Sequence, residues 1–247
     1  MMQIQIDVQT LSSAQLECVT RLSCEYGDGV VRGTTGRALK LDGVRIESVP
    51  DVFQRLMDGG LISADGRKGT VGHAVSCPRA GSCPRERFNV VPYALAVSAY
   101  LRSFDHCDGL SPEHTIAFSG CPSDCALAAV ADLGFFAQCR DDTRGFSVRV
   151  GGGLGPPPIV GVEVESFAHA ANALAVAEAA RCLFCHACDQ TGGRDVPLRA
   201  IVEHLGADEF IGRYQEERAR IDAEGVPVAV LKVVGPAPCG SDDQETR

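Results

Sequence analysis

The chain has 247 residues, 45% of them apolar and 22% charged, with twelve cysteines and a net charge of −9. That balance fits a folded chain of one large or two modest domains, and so acidic a surface argues against nucleic acid as a partner, which needs a basic face. No run approaches the roughly 18 apolar residues of a membrane span, and MMQIQIDVQTL lacks the basic-then-apolar pattern of a secretory signal. The expectation is a cytoplasmic protein without a membrane span, whose reduced cysteines serve metal or redox chemistry rather than disulfides.

The opening QIQIDV reads as a strand. Ser12 and Gln15 make a capping box ahead of Leu16, Val19 and Leu22, and the Gly27-Asp28-Gly29 break follows. VVRGTTGRALKLDGV is rich in β-branched residues and reads as extended. Ser48 and Pro50 start a second helix, with Val52, Phe53, Leu56 and Met57 on one face and Gly59-Gly60 at its end. Residues 1–72 thus form a small α+β unit, and the chain divides near residue 72. Beyond SCPRAGSC, Pro92 opens a helix whose apolar face runs from Tyr93 to Phe104. A strand with Ile116 and Phe118 delivers SGCPSDC, and strands around ADLGFF and Phe146-Val148-Val150 lead to GGGLG. An alanine-rich helix is expected over 164–181, followed by CLFCHAC and by two short helices near 196–205 and 207–220. Residues 73–235 make the second domain, and 236–247 a disordered tail.

Four cysteines have the spacing of ligands. Cys77 and Cys83 stand as C-x5-C and Cys121 and Cys125 as C-x3-C, with 37 residues between the inner members. A [4Fe–4S] cluster needs four thiolates converging on one cubane, which two turns can deliver. The glycines and prolines at 78, 81, 84, 120 and 122 suit backbone turning tightly around a bulky core. Structural zinc prefers two to four intervening residues, so C-x5-C fits it less well, and buried apolar cysteines are the plain alternative.

Cys77-x5-Cys83 followed by SGCPSDCALAAVADLGF and then VGGGLG resembles the sulfite and nitrite reductases that carry siroheme coupled to a [4Fe–4S] cluster. The pattern is closest to dissimilatory-type sulfite reductase subunits, and it covers roughly residues 20 to 220. The resemblance implies a fold of class α+β: a ferredoxin-like half-domain, with its TTR-type strand in GDGVVRGTTGRALKLDGV lying over the tetrapyrrole, then a mixed-sheet domain for siroheme and cluster. It implies that Cys125 bridges cluster and siroheme iron, that Arg32, Thr34, Arg37 and Ser123 contact the cofactor, and that Gly152 and Gly153 lie near the macrocycle's carboxylates. It also implies six-electron reduction of sulfite to sulfide, with nitrite as the alternative substrate, an electron donor protein, and pairing with a second copy or a related subunit.

The sequence departs from the family at several points. The TTR arginine falls on Gly36, with Arg37 one place later. Glu113, His114 and Thr115 stand where the dissimilatory branch often has K-x-K, and Ser123 replaces the usual asparagine. Arg32, Arg37, Arg79, Arg85 and Arg87 are candidates for the lost charge; Arg37 and Arg79, with Cys125, are expected at the catalytic centre. Cys182, Cys185 and Cys188 form C-x2-C-x2-C, the opening of a ferredoxin motif that points to a second iron-sulfur cluster with Cys139 or Cys239 as distant fourth ligand. Zinc with His186, or a helix with unrelated cysteines, are the alternatives. Three readings compete: a sulfite-reducing subunit, a non-catalytic electron-transfer or structural subunit, and a cobalamin-pathway relative similar to precorrin-3B synthase.

Overall fold

The computed structural model describes residues 2–7, 11–33, 38–62, 74–101, 114–191 and 197–225. It divides into two compact units, Met1–Thr70 and Val71–Arg247. In the first, strands β1 (Met2–Asp7), β2 (Val31–Gly33) and β3 (Ala38–Val44) form an antiparallel sheet in the order β1-β3-β2. Helix α1 (Ser13–Tyr26) starts on the expected capping box: the Gln15 N–H donates to Ser12 Oγ at 3.2 Å and the Ser12 N–H to Gln15 Oε1 at 3.1 Å. Helix α2 (Val49–Asp58) has Pro50 in its first turn. Val19 and Leu22 of α1, Leu41 and Val44 of β3, and Val52 and Leu56 of α2 bury together as this unit's core. Residues 34–37, and with them Thr34 and Arg37, lie outside the described residues. So does the expected tail.

The second unit is built on a five-stranded mixed sheet, β4 (Ala74–Ser76), β5 (Ile116–Ser119), β6 (Leu133–Arg140), β7 (Thr143–Val150) and β8 (Val162–His169), in that order. The first three strands are parallel, with Ser76 level with Phe118 and Ser119 with Phe136; the last two pairings are antiparallel. All four residues of β5 are buried, as a central parallel strand covered on both faces requires. On one face Phe118 and Phe135 stack at 4.2 Å, Phe146 meets both edge-on at 5.5 Å, and helices α3 (Val91–Leu101) and α4 (Ala173–Thr191) contribute to the same core. On the other face Ala117 packs with Ala128 and Ala131 of the segment that follows the C-x3-C turn, with Val75 and Phe136 beside them, so the chain after β5 lies on the sheet. Helices α5 (Leu198–Leu205) and α6 (Ala207–Glu224) complete the unit. Tyr214 of α6 is buried and donates to Glu165 of β8 at 2.5 Å, with Arg218 at 3.2 Å from the same carboxylate oxygen.

One expectation is corrected. The helix predicted over 164–181 begins only at Ala173, and Val162–His169 is a strand. Val162 and Val164 alternate with Glu163 and Glu165, a period of two that pairing with β7 reinforces, and local helix propensity yields to that partner. The helix then runs through CLFCHAC instead of stopping before it.

Gly134 of β6 is the tightest point beneath the C-x3-C segment: a Cβ there would sit 2.0 Å from the Ala128 carbonyl oxygen, with Ala128 backbone carbon at 2.8 Å. Backbone has no rotamer with which to yield. Gly134→Ala is expected to cost about 3 kcal/mol, read as a lowered midpoint in chemical denaturation.

Candidate metal centre

The two cysteine turns leave the same edge of the sheet. β4 and β5 are parallel neighbours, so the segments after them emerge side by side. The Cys77 N–H donates to the Phe118 carbonyl at 3.0 Å, and the Arg87 N–H to the Gly120 carbonyl at 2.8 Å, stitching the C-x5-C segment along the end of β5. Gly81 takes φ +84° and gives its N–H to both oxygens of Glu86 at 2.8 and 3.1 Å. Phe88 drops from the end of this segment into the core against Tyr93 and Phe146, fixing it to the sheet.

The C-x3-C turn is shaped by Asp124, which sequence reasoning passed over. It adopts φ +45°, and its carboxylate accepts from the Ala128 and Ala129 N–H groups at 2.8 and 2.9 Å. Leu127 is also left-handed, at φ +59°. Two reversed residues bracket Cys125-Ala126, and the signal available in sequence was an aspartate, one of the few non-glycine residues that accept this conformation.

Cys77, Cys83 and Cys121 are buried and Cys125 is exposed. Burial pushes the Cys77 thiol above its ordinary value; the Arg79 N–H opposes this, and Cys125, Cys121 and Cys83 push it further up. Among the described residues no three His, Cys, Asp or Glu side chains close on a point that would hold one metal ion. A [4Fe–4S] core carries positive charge that would offset the mutual repulsion of four thiolates.

The other predicted residues are placed as follows. Ser123 and Arg79 are exposed on the two turns. Arg32, on β2, is paired with Asp42 at 2.8 Å. His114 is buried edge-on against Phe184 at 4.4 Å, and Thr115 is tied to Asp132 by bonds of 2.9, 3.0 and 3.2 Å at the opposite end of β5 from Cys121. Glu113 lies outside the described residues. The glycine loop is strapped to the segment after C-x3-C: Gly151, Gly152 and Gly161 donate to the carbonyls of Asp132, Ala131 and Ala129 at 2.8, 3.0 and 2.9 Å. A Cβ at Gly152 would strike the Ala131 oxygen at 2.5 Å. Its glycine is explained by backbone approach.

Cys182 and Cys185 stand on α4. Cys182 is buried in a charged network: Glu178 holds Arg181 through two bonds of 2.7 Å, while Arg181 and Arg220 approach the Cys182 sulfur at 3.8 and 3.7 Å. Arg181 also reaches the Cys185 sulfur at 3.6 Å. Burial, with Glu178 beside it, pushes the Cys182 thiol up to about 11. Cys188 lies on the same helix, its side chain outside the description. Of the distant fourth ligands, Cys139 is disulfide-bonded, which corrects its candidacy, and Cys239 lies outside the described residues.

Residues 68–221 match the family described as the nitrite and sulphite reductase 4Fe-4S domain. The chain belongs to that family. It is similar to the assimilatory ferredoxin-dependent nitrite reductase of Haloferax mediterranei, 28% identical over 203 residues, covering 78% of this chain and 34% of that one. It is also similar to the ferredoxin–nitrite reductase of Leptolyngbya laminosa, 28% identical over 157 residues, covering 62% and 31%. The chain thus spans about a third of the length of these relatives. Among solved structures, Mycobacterium tuberculosis NirA protein shares the fold at a TM-score of 0.69, with 20% identity over 88% of this chain and 40% of that one. Dissimilatory sulfite reductase I does so at 0.65, with 12% identity over 95% and 71%. These likenesses agree with the expected α+β class and mixed sheet of this sulfite and nitrite reductase family.

Removing the Asp124 cap tests how the turn is held. Asp124→Ala is expected to lower stability by about 1–2 kcal/mol and Asp124→Asn by less, since asparagine keeps an acceptor and tolerates left-handed backbone. Thermal melts of the three proteins check the order.

Proposed function

We propose that this chain is a siroheme-dependent oxidoreductase subunit that reduces a small oxyanion, nitrite or sulfite, with Cys77, Cys83, Cys121 and Cys125 holding one [4Fe–4S] cluster. The observation that supports the reading is the parallel pairing of β4 with β5, from whose adjacent ends the segments bearing Cys77 and Cys121 leave side by side, with Cys125 alone of the four cysteines exposed. Siroheme, if bound, would supply redox-active iron for the oxyanion. Cys125 would be the thiolate facing it, because the other three are buried. Exposed Leu127, Leu154 and Val160 stand on the Cys125 segment and on the glycine loop strapped beside it, offering apolar surface to a flat macrocycle. Arg79, exposed two residues from Cys77, and Arg85, exposed two residues from Cys83, are described cations on that turn that could meet an anion there. The names of the curated relatives favour nitrite; those of the solved structures do not discriminate.

A second reading, an electron-transfer subunit without turnover, draws on the fates of the expected cations. Arg32 is engaged by Asp42, and His114 and Thr115 are committed to the interior and to Asp132. Anaerobic protein supplied with siroheme, nitrite or sulfite and a strong artificial donor separates the two. Turnover that falls several-fold in Arg79→Ala, with siroheme retained, supports reduction; siroheme-loaded protein that turns over neither anion supports electron transfer.

Iron and sulfide content tests the cluster. Serine at Cys77, Cys83 or Cys121 is expected to abolish it, and retention in all three variants overturns the assignment. Because the Cys77 thiol is held above its ordinary value of 9.0, it must lose a proton to bind iron, so reconstitution is expected to quicken as pH rises toward that value. The same assay decides the proposed second cluster on Cys182, Cys185 and Cys188. Two cubanes' worth of iron, halved in Cys185→Ser, supports it; one cubane's worth, unchanged in that variant, removes it.

A further inference from the structure

The glycine loop after β7 offers an anion none of its first three amides. Gly151 and Gly152 donate to Asp132 and Ala131, and Gly153 donates to the Ile159 carbonyl at 3.0 Å. What lies against the loop is a side chain, Arg199, from the first turn of α5. A Cβ on Gly153 would meet Arg199 Cδ at 3.1 Å and Nη1 at 3.4 Å, and a Cβ on Gly155 would meet Nη1 at 2.9 Å. Glycine at both positions gives the guanidinium its seat.

That guanidinium is underused. Its side chain is 28% exposed, and among the described residues its ionic partner is Glu203, 3.4 Å from Nε and itself half exposed. Nη1 lies against a loop whose large apolar residues, Leu154 at 69% and Val160 at 54%, are exposed. A fork of hydrogen-bond donors beside an exposed apolar surface matches a ligand with a flat apolar body and carboxylates on its rim. We infer that Arg199 anchors a peripheral carboxylate of siroheme, with Gly153 and Gly155 providing the space for it. The inference rests on the reading that this chain binds siroheme.

The test follows siroheme retention, not turnover. Protein produced with a supply of siroheme is desalted at increasing salt, and siroheme absorbance is measured against cluster iron for wild type, Arg199→Met and Arg199→Lys. The methionine variant is expected to lose siroheme about tenfold faster at low salt, as for the loss of one charge-assisted bond. Lysine should fall between, because it keeps the charge but not the fork. Salt should accelerate loss from wild type and leave the methionine variant nearly unchanged, a response that a purely structural arginine would not give. Equal loss from all three proteins overturns the assignment. Wild type that takes up no siroheme overturns the underlying reading and the assignment with it, and wild type alone distinguishes that case. Should the methionine variant fail to fold, the lysine variant decides, and wild-type retention with wild-type salt response overturns the inference.

Discussion

Parallel pairing of β4 with β5 is the constraint from which the site follows. Parallel strands send their following segments off the same edge of a sheet, so two cysteine turns separated by 37 residues in sequence become neighbours once Ser76 lies level with Phe118. The pairing is short, three residues on β4, and it is extended by the Cys77 and Arg87 amides bonding to carbonyls at the end of β5. The turn bearing Cys77 and Cys83 is therefore an outgrowth of the ladder, and its far end is fixed by the Phe88 ring against Tyr93 and Phe146.

The second turn is held from below. Ala117, Ala128 and Ala131 are small because the segment after Cys125 lies flat on the sheet, and Gly134 lacks a side chain because the Ala128 carbonyl occupies that space. The glycine loop then lies on the same segment, with Gly152 against Val130 and Ala131. Backbone meets backbone closely at two points, Gly134 against Ala128 and Gly152 against Ala131. Gly134 and Gly152 are thus requirements of close backbone approach, and Cys125, Leu127 and Leu154 are exposed beside them.

The parts legible in sequence were those fixed by local chemistry. Ser12 and Gln15 cap a helix wherever they are placed, Pro92 opens α3, and the cysteine spacings marked which turns to bring together. What failed depended on distant partners. VEVES has the pattern of a strand, but the alanines that follow it have the composition of a helix, and only β7 decides where one ends. Thr115 looked like a missing lysine; its part in the fold is to bond Asp132 across the sheet, which no local pattern announces. Asp124 was visible but silent, since its role depends on two amides that reach it only after the turn has formed.

The two cysteine groups differ in one physical respect that bears on their chemistry. In the first turn the Arg79 backbone N–H, which no helix claims, favours the Cys77 thiolate. A thiolate there gains donors without unfolding anything. On α4 the N–H groups of the interior are spent on the helix itself, so Cys182 and Cys185 draw only on side chains, the guanidinium groups of Arg181 and Arg220. Those cations compete with Glu178, whose carboxylate lies 3.5 Å from Cys182 and favours the neutral thiol. Successive cysteines three apart on a helix also rise by about 4.5 Å along one side, a row and not an enclosure. For C-x2-C-x2-C to surround a cubane, α4 must open where it now lies continuous, exchanging its helical hydrogen bonds and the Glu178–Arg181 pair for iron–sulfur bonds.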